Sequence, residues 1–233
     1  MAQLLLLMTK AAGTSVAIFF LTLLISLPLA LPVALGRMSR HWVLRKGINL
    51  YLLVMRGTPL ILQLIFIYFV PKYFYRFLYD HLAGVIGSDG FWQVLRLVLS
   101  YNRFTAVIIA FGLNYGAYFA EIYRGGIESI PRGQYEAAKV LGFTGRQTFA
   151  RIVLPQVVKR ILPATGNEVI TLVKDTALAQ TIGVAELFHA AQNASAREFS
   201  TTPIFVAGVF YFVMNWAVSS AFTAGEKRLA YYD

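Results

Sequence analysis

The chain has 233 residues, of which 58% are hydrophobic and 14% charged, with a mean hydropathy of +0.61 and a formal net charge of +10. A soluble domain carries about 25% charged residues, so the composition excludes an ordinary soluble globule and points to lipid as solvent. With no cysteine, disulfides, thiolate metal sites and a cysteine nucleophile are excluded as well.

A hydrocarbon core roughly 30 Å thick takes about 20 apolar residues per helix. Residues 11–36 carry no charge and give a first expected span, kinked at Pro28 and Pro32. The stretch RMSRHWVLRK follows, with Arg37, Arg40, Arg45 and Lys46. Residues 47–71 make a second span interrupted only by Arg56. At about 1.5 Å per residue, Arg56 falls roughly 12 Å along that helix from Ile48. Residues 72–103 are mixed and aromatic, and read as an external interfacial segment with one amphipathic helix near Phe91–Leu99. A third span covers 104–123, with Glu121 near its end. A basic loop occupies 124–160, and a fourth span covers 161–187 although it contains Glu168, Lys174 and Asp175. Residues 188–202 read as a short polar loop, 199–225 as a fifth span, and EKRLAYYD as the tail. The expectation is an all-α integral membrane chain, one domain over 1–233 with about five transmembrane helices.

Charge sets the orientation. With the 124–160 loop inside, thirteen Lys and Arg side chains face the cytoplasm and six face outward, leaving Arg56 and Lys174 in spans. That bias places the N-terminus outside and the C-terminus in the cytoplasm. It also accounts for the basic balance without a nucleic-acid partner. The three histidines, His41, His81 and His189, show no metal-ligand spacing, so no metal site is expected. The opening MAQLLLLMTK has neither a basic n-region nor a cleavage site, so no cleavable signal peptide is expected.

The loop is more than a connector. Ser129 can cap a helix starting near Pro131, which suits a first helical turn. RGQYEAAKVL continues it, and Gly142 stands where a left-handed residue would end it. Thr144 can cap a second helix, GRQTFARIVL, with a bend at Pro155. Local physics leaves two readings: an interfacial pair touching lipid, or a shaped surface for a partner.

Glu136-Ala137-Ala138, three residues, Gly142, nine residues, Ile152, one residue and Leu154-Pro155 resemble the EAA loop of ABC importer permeases. MRGTPLILQLIFIYF (55–69), GAYFAEIYRGGIESIPRGQYEAAKVLG (116–142) and LVKDTALAQTIGVAEL (172–187) are similar to polar amino acid permeases of the histidine and glutamine type. The resemblance covers roughly residues 11–228 and is least characteristic over 72–103. It implies a type I ABC importer permease fold with a cytoplasmic coupling helix. The ATPase-facing residues it implies are Tyr135, Glu136, Ala137, Ala138, Lys139, Leu141, Gly142, Phe143 and Arg146. It further implies a second permease copy or sister permease, a pair of ATPase subunits, an extracytoplasmic substrate-binding protein and a polar amino acid as cargo. The setting it implies is a prokaryotic inner membrane. No GxxxxGK[ST] loop occurs, so ATP and Mg belong to the ATPase, and this chain is expected to have no cofactor and no catalytic residue.

Ionisable residues within spans are costly and usually functional. Glu168, Thr171 and Asp175 share a helix face that Asn167 and Lys174 overlap. Either these charges pair and fix packing, or they line the substrate pathway. Arg56 either neutralises a carboxylate in the pathway or snorkels to Glu121, near the cytoplasmic gate. Asn114, Tyr118 and Gln180 are further pathway candidates. The aromatics Tyr73, Phe74, Tyr75 and Trp92 read as an interface belt that can flank a binding-protein surface. The rival reading is an ion-coupled secondary amino acid transporter using Glu168, Lys174 and Asp175 as a relay. Such carriers often carry internal repeats, and none is seen in this sequence.

Overall fold

Residues 1–229 are described by a computed structural model, and residues 230–233 of the expected tail lie outside them. The first helix, α1 (Ala2–Arg37), runs unbroken through Pro28 and Pro32. Its buried stripe includes Ser15, Ile18, Phe19, Thr22, Ser26, Ala30 and Ala34, at helical three- and four-residue spacing.

The second span expected over 47–71 is two helices, α2 (Trp42–Gly57) and α3 (Leu60–Leu82). Pro59 explains the break. It has no N–H to donate, and it biases Thr58 to the extended backbone observed, φ −124° and ψ 149°. Arg56 therefore sits in the last turn of a short helix. Beyond Pro71 the chain stays helical to Leu82, so part of the expected interfacial segment belongs to α3. The amphipathic helix of that segment is present as α4 (Asp89–Leu99), capped by Ser88, which accepts from the Phe91 N–H. Trp92 holds α4 to α3 by edge contacts with Tyr75 and Tyr79 and a 2.9 Å bond to the Ile86 carbonyl.

Next comes α5 (Arg103–Glu128), against which α1 packs most extensively. The two run parallel, with Ile25 over Gly112 and Leu29 over Gly116. After α5 come α6 (Arg132–Val140) and α7 (Gly145–Thr148). A π-helical turn, Phe149–Val153, then leads without interruption into α8 (Leu154–Asp175). Pro155 follows directly on the π-helical turn, so the missing N–H falls where the helix already departs from its regular hydrogen-bond pattern. Ser129 does not cap α6. Its hydroxyl donates to the Gly126 carbonyl and closes α5, and Pro131 occupies the cap position of α6.

α8 runs antiparallel to α5, with Tyr115 meeting Asp175 and Gly126 against Ile161. The fourth span expected over 161–187 starts earlier and stops sooner as α-helix. Asp175 gives way to a 3₁₀ turn, Thr176–Ile182, which Gly183 ends at φ +75°. The polar loop expected over 188–202 is largely helical, as α9 (Leu187–Glu198), and α10 (Thr202–Leu229) follows. Among the described residues, α1, α3, α5 and α10 are long and apolar enough to cross a membrane. α8 is not, because its charges interrupt the apolar run. The α6–α7 hairpin marks one end of the bundle, the loop face. The start of α5 and the turn at Gly183 mark the opposite, far face.

Candidate functional site: the loop face and the polar path behind it

The α6–α7 hairpin is fixed by its own backbone. Gly142 is left-handed, φ +77°; its N–H donates to the Lys139 carbonyl, and the Phe143 N–H to the Ala138 carbonyl at 3.0 Å. These two bonds form a Schellman end to α6. Thr144 then starts α7 in a reciprocal capping box with Gln147. Ala138 and Thr148 are buried. Ile130, Val153 and Val157 cluster beneath them, and Arg160 donates to the Ser129 carbonyl. The hairpin is thereby braced against α5 and α8. Its outer side exposes Tyr135, Glu136, Ala137, Lys139, Leu141, Gly142 and Arg146, while Phe143 is half-buried. Val140 joins them at 88% exposure, the most exposed apolar residue of the hairpin. The motif positions do not mark Val140; its exposure follows from the Schellman turn.

Behind the hairpin, Glu121 gathers three arginines from three helices. Arg37 of α1 and Arg124 of α5 pair with it, and Arg56 of α2 reaches it at 3.1 Å. Arg56 also lies over the Tyr118 ring, 5.6 Å from its centroid, and Arg124 additionally pairs with Glu128. Of the two roles open to Arg56, the structure displays the pairing with Glu121.

Asn114 is committed to the α2–α3 break. Its Nδ2 donates to the Met55 carbonyl and to Gln63 Oε1, each at 2.9 Å. Gln63 Nε2 donates to the same carbonyl at 2.9 Å and to Thr58 O at 3.0 Å. Met55 is four residues before Pro59, so its carbonyl lacks its helical donor and takes side-chain amides instead. Gln63, inside a motif read only for its identity, was not singled out from sequence.

On α8, Asn167, Thr171 and Lys174 are exposed, whereas Glu168 and Asp175 are half-buried. Asp175 accepts from Tyr115 Oη at 2.7 Å, and Thr171 donates to the Asn167 carbonyl at 3.0 Å. Among the described residues, Lys174 forms no ion pair with either neighbouring carboxylate. Gln180 is half-buried in the 3₁₀ turn. A further carboxylate, Glu186, escaped the sequence reading although it lies within a quoted motif. It is fully buried and accepts from Phe188 N, His189 N, Ser15 Oγ and Tyr211 Oη. It caps α9 and ties α9 to α1 and α10.

This helical architecture and braced loop are those of a membrane transport subunit. Residues 26–231 match the family described as binding-protein-dependent transport system inner membrane component. The chain belongs to that family. It is 35% identical over 210 residues to the nopaline transport system permease protein NocM of Agrobacterium fabrum, covering 90% of this chain and 82% of the relative. It is 34% identical over 220 residues to the L-cystine transport system permease protein TcyB of Bacillus subtilis, covering 94% and 84%. Among solved structures, an amino acid ABC transporter crystallised with histidines aligns with a TM-score of 0.79 and 30% identity, over 98% of this chain and 96% of that one. The inward-facing methionine transporter MetNI aligns with a TM-score of 0.70 over 98% and 99%, and at 16% identity it speaks to the fold alone. The fold is that of a type I ABC importer permease.

Proposed function

We propose that the chain is the permease subunit of an ATP-driven importer of polar amino acids, coupled to a separate ATPase through the α6–α7 hairpin. The observation that carries this reading is the hairpin itself. A rigid, doubly capped turn presents Tyr135, Val140 and Leu141 at the loop face inside a rim of Lys139 and Arg146. Apolar residues held outward on a braced turn suit a partner's groove better than free solvent. The names of the relatives and of the aligned transporter support amino acids as cargo. Closure of an ATPase pair pulls on the hairpins, and α5 and α8, to which each hairpin is braced, carry the movement inward.

The exposed stripe of Asn167, Thr171 and Lys174 supports pairing with a second permease, identical or a sister chain. A polar face on a helix at membrane depth belongs against protein or a water-filled path, not against lipid. Glu168, Thr171, Lys174, Asp175 and Gln180 then line the path, Arg56, Tyr118 and Glu121 lie toward its cytoplasmic end, and Asn114 holds the neighbouring helix break. An extracytoplasmic binding protein delivers the substrate to the far face. The N-terminus lies outside and the C-terminus in the cytoplasm of a prokaryotic cell, and ATP and Mg stay with the ATPase.

The test is affinity purification from native membranes in mild detergent, comparing wild type with Gly142→Arg. An ABC-type ATPase is expected with the wild type and absent from the variant, together with loss of ATP-driven uptake. If both forms purify without an ATPase, the coupling reading fails, and proton-coupled uptake through the α8 charges becomes the hypothesis to pursue.

A further inference from the structure

At the far face, α3, the start of α5 and the chain after the 3₁₀ turn surround an open cleft of about 490 Å³. Tyr68, Asn102, Arg103, Phe104 and Val184 line it. Arg103 reaches across, its Nε donating to Tyr68 Oη at 3.4 Å and its Nη1 to the Gly183 carbonyl at 3.3 Å. Lys72, one turn beyond Tyr68, holds its Nζ 3.6 Å from the Tyr68 ring centroid. Among the described residues neither cation has a carboxylate partner. With two of its N–H groups engaged, the Arg103 fork keeps donors for a ligand. The positive end of α5 opens at the same place, where Asn102 accepts from the Thr105 N–H at 2.8 Å. Bracing Gly183 accounts for Arg103 alone. It does not account for a second cation without a carboxylate partner on another helix, nor for the open space beside Arg103 and Tyr68.

The α8 stripe lies further in from the cleft along the same stretch of chain. Gly183 ends the 3₁₀ turn that begins at Thr176, and at about 2 Å per residue its seven residues span roughly 14 Å. A path from the cleft therefore meets Lys72 and Arg103 first, then Asp175 and Lys174 at the end of α8, and Glu168 about two turns deeper. We infer that this cleft is an outer-mouth site for the carboxylate of an incoming amino acid, held by Arg103 and Lys72. The inference rests on the importer reading and on its orientation.

Because the chain has no cysteine, Asn102→Cys gives it a single thiol at the cleft. The complete transporter, with its ATPase and binding protein, is placed in phosphatidylcholine vesicles and labelled from outside. Two methanethiosulfonates serve as probes, one bearing a sulfonate and one a trimethylammonium group. Two unpaired cations are expected to favour the sulfonate about tenfold, within the range of electrostatic steering. Lys72→Gln, which removes an ammonium that braces no backbone group, is expected to lose part of that preference, and Lys72→Gln with Arg103→Gln all of it. L-Histidine, L-glutamine and L-arginine are expected to slow labelling, and their carboxamides not. Equal rates for the two reagents, or equal protection by acids and amides, would overturn the site. So would protection that appears only when phosphatidylglycerol replaces phosphatidylcholine, which would assign the cations to a lipid headgroup. ATP-driven uptake by the cysteine-free parent separates the two failures. Uptake with unselective labelling removes only the cleft assignment, whereas no ATP-driven uptake of any amino acid removes the importer reading beneath it.

Discussion

Replacing Asn114 by leucine should weaken the bundle at the α2–α3 break, and relieving the proline should repair part of the damage. Asn114 is 5% exposed and gives one amide proton to the Met55 carbonyl and the other to Gln63 Oε1. In Asn114→Leu the Met55 carbonyl keeps its 2.9 Å bond from Gln63 Nε2. Gln63 Oε1 loses its donor in a buried setting. One hydrogen bond is worth about 1 kcal/mol, and a stranded buried acceptor costs about 1–3, so the variant should lose about 2–4 kcal/mol. At roughly 2–4 °C per kcal/mol for a chain of this size, the melting temperature should fall by roughly 4–16 °C. Pro59→Ala supplies the N–H that the Met55 carbonyl lacks and lets Thr58 leave its extended backbone. Asn114→Leu should therefore cost at least about 1 kcal/mol less when Pro59→Ala is present, a coupling that a double-mutant cycle resolves. The assay is thermal unfolding in detergent, followed by size-exclusion of the monodisperse fraction. A neutral Asn114→Leu, or strict additivity with Pro59→Ala, refutes the account of the break.

Two carboxylates and one close helix contact are open to the same kind of test. Glu121→Gln should lower thermal stability by about 2–3 kcal/mol, because three arginines are left facing one another while still partly hydrated; an unchanged melting temperature would show that solvent screens the cluster. Glu186→Ala should cost about 3 kcal/mol or more, stranding Ser15, Tyr211 and two backbone donors, and Glu186→Gln, which keeps one acceptor, should cost visibly less in the same melt. Gly126→Ala puts a Cβ 2.2 Å from Ile161 Cγ2 and should cost about 1–3 kcal/mol, most of it recovered when Ile161→Ala makes room; failure of that rescue would mean the α5–α8 contact is not what limits the site.

The sequence made the fold class and the loop readable because both are written in local chemistry. An uncharged run announces α1, and Gly142 followed by Thr144 announces a helix end and a new cap, as found at φ +77° and in the Thr144–Gln147 box. What stayed hidden depends on partners distant in the chain. RGTP reads as part of an apolar run until the Met55 carbonyl is seen to need Asn114, 59 residues away. Glu186 passes as one more residue near the end of the expected fourth span until Ser15, 171 residues earlier, and Tyr211 are found at its oxygens. Lys174 and Asp175 look like an obvious pair, yet Tyr115 holds the aspartate and the lysine stays exposed. The same cause runs through all three. At membrane depth a polar group has no water to fall back on, so it is satisfied by whichever helix passes near. Periodicity identifies the helices but not which of them are neighbours. On the importer reading proposed above, the exposed polar residues of α8 and the far-face cleft are therefore the surfaces offered to a second permease and a substrate.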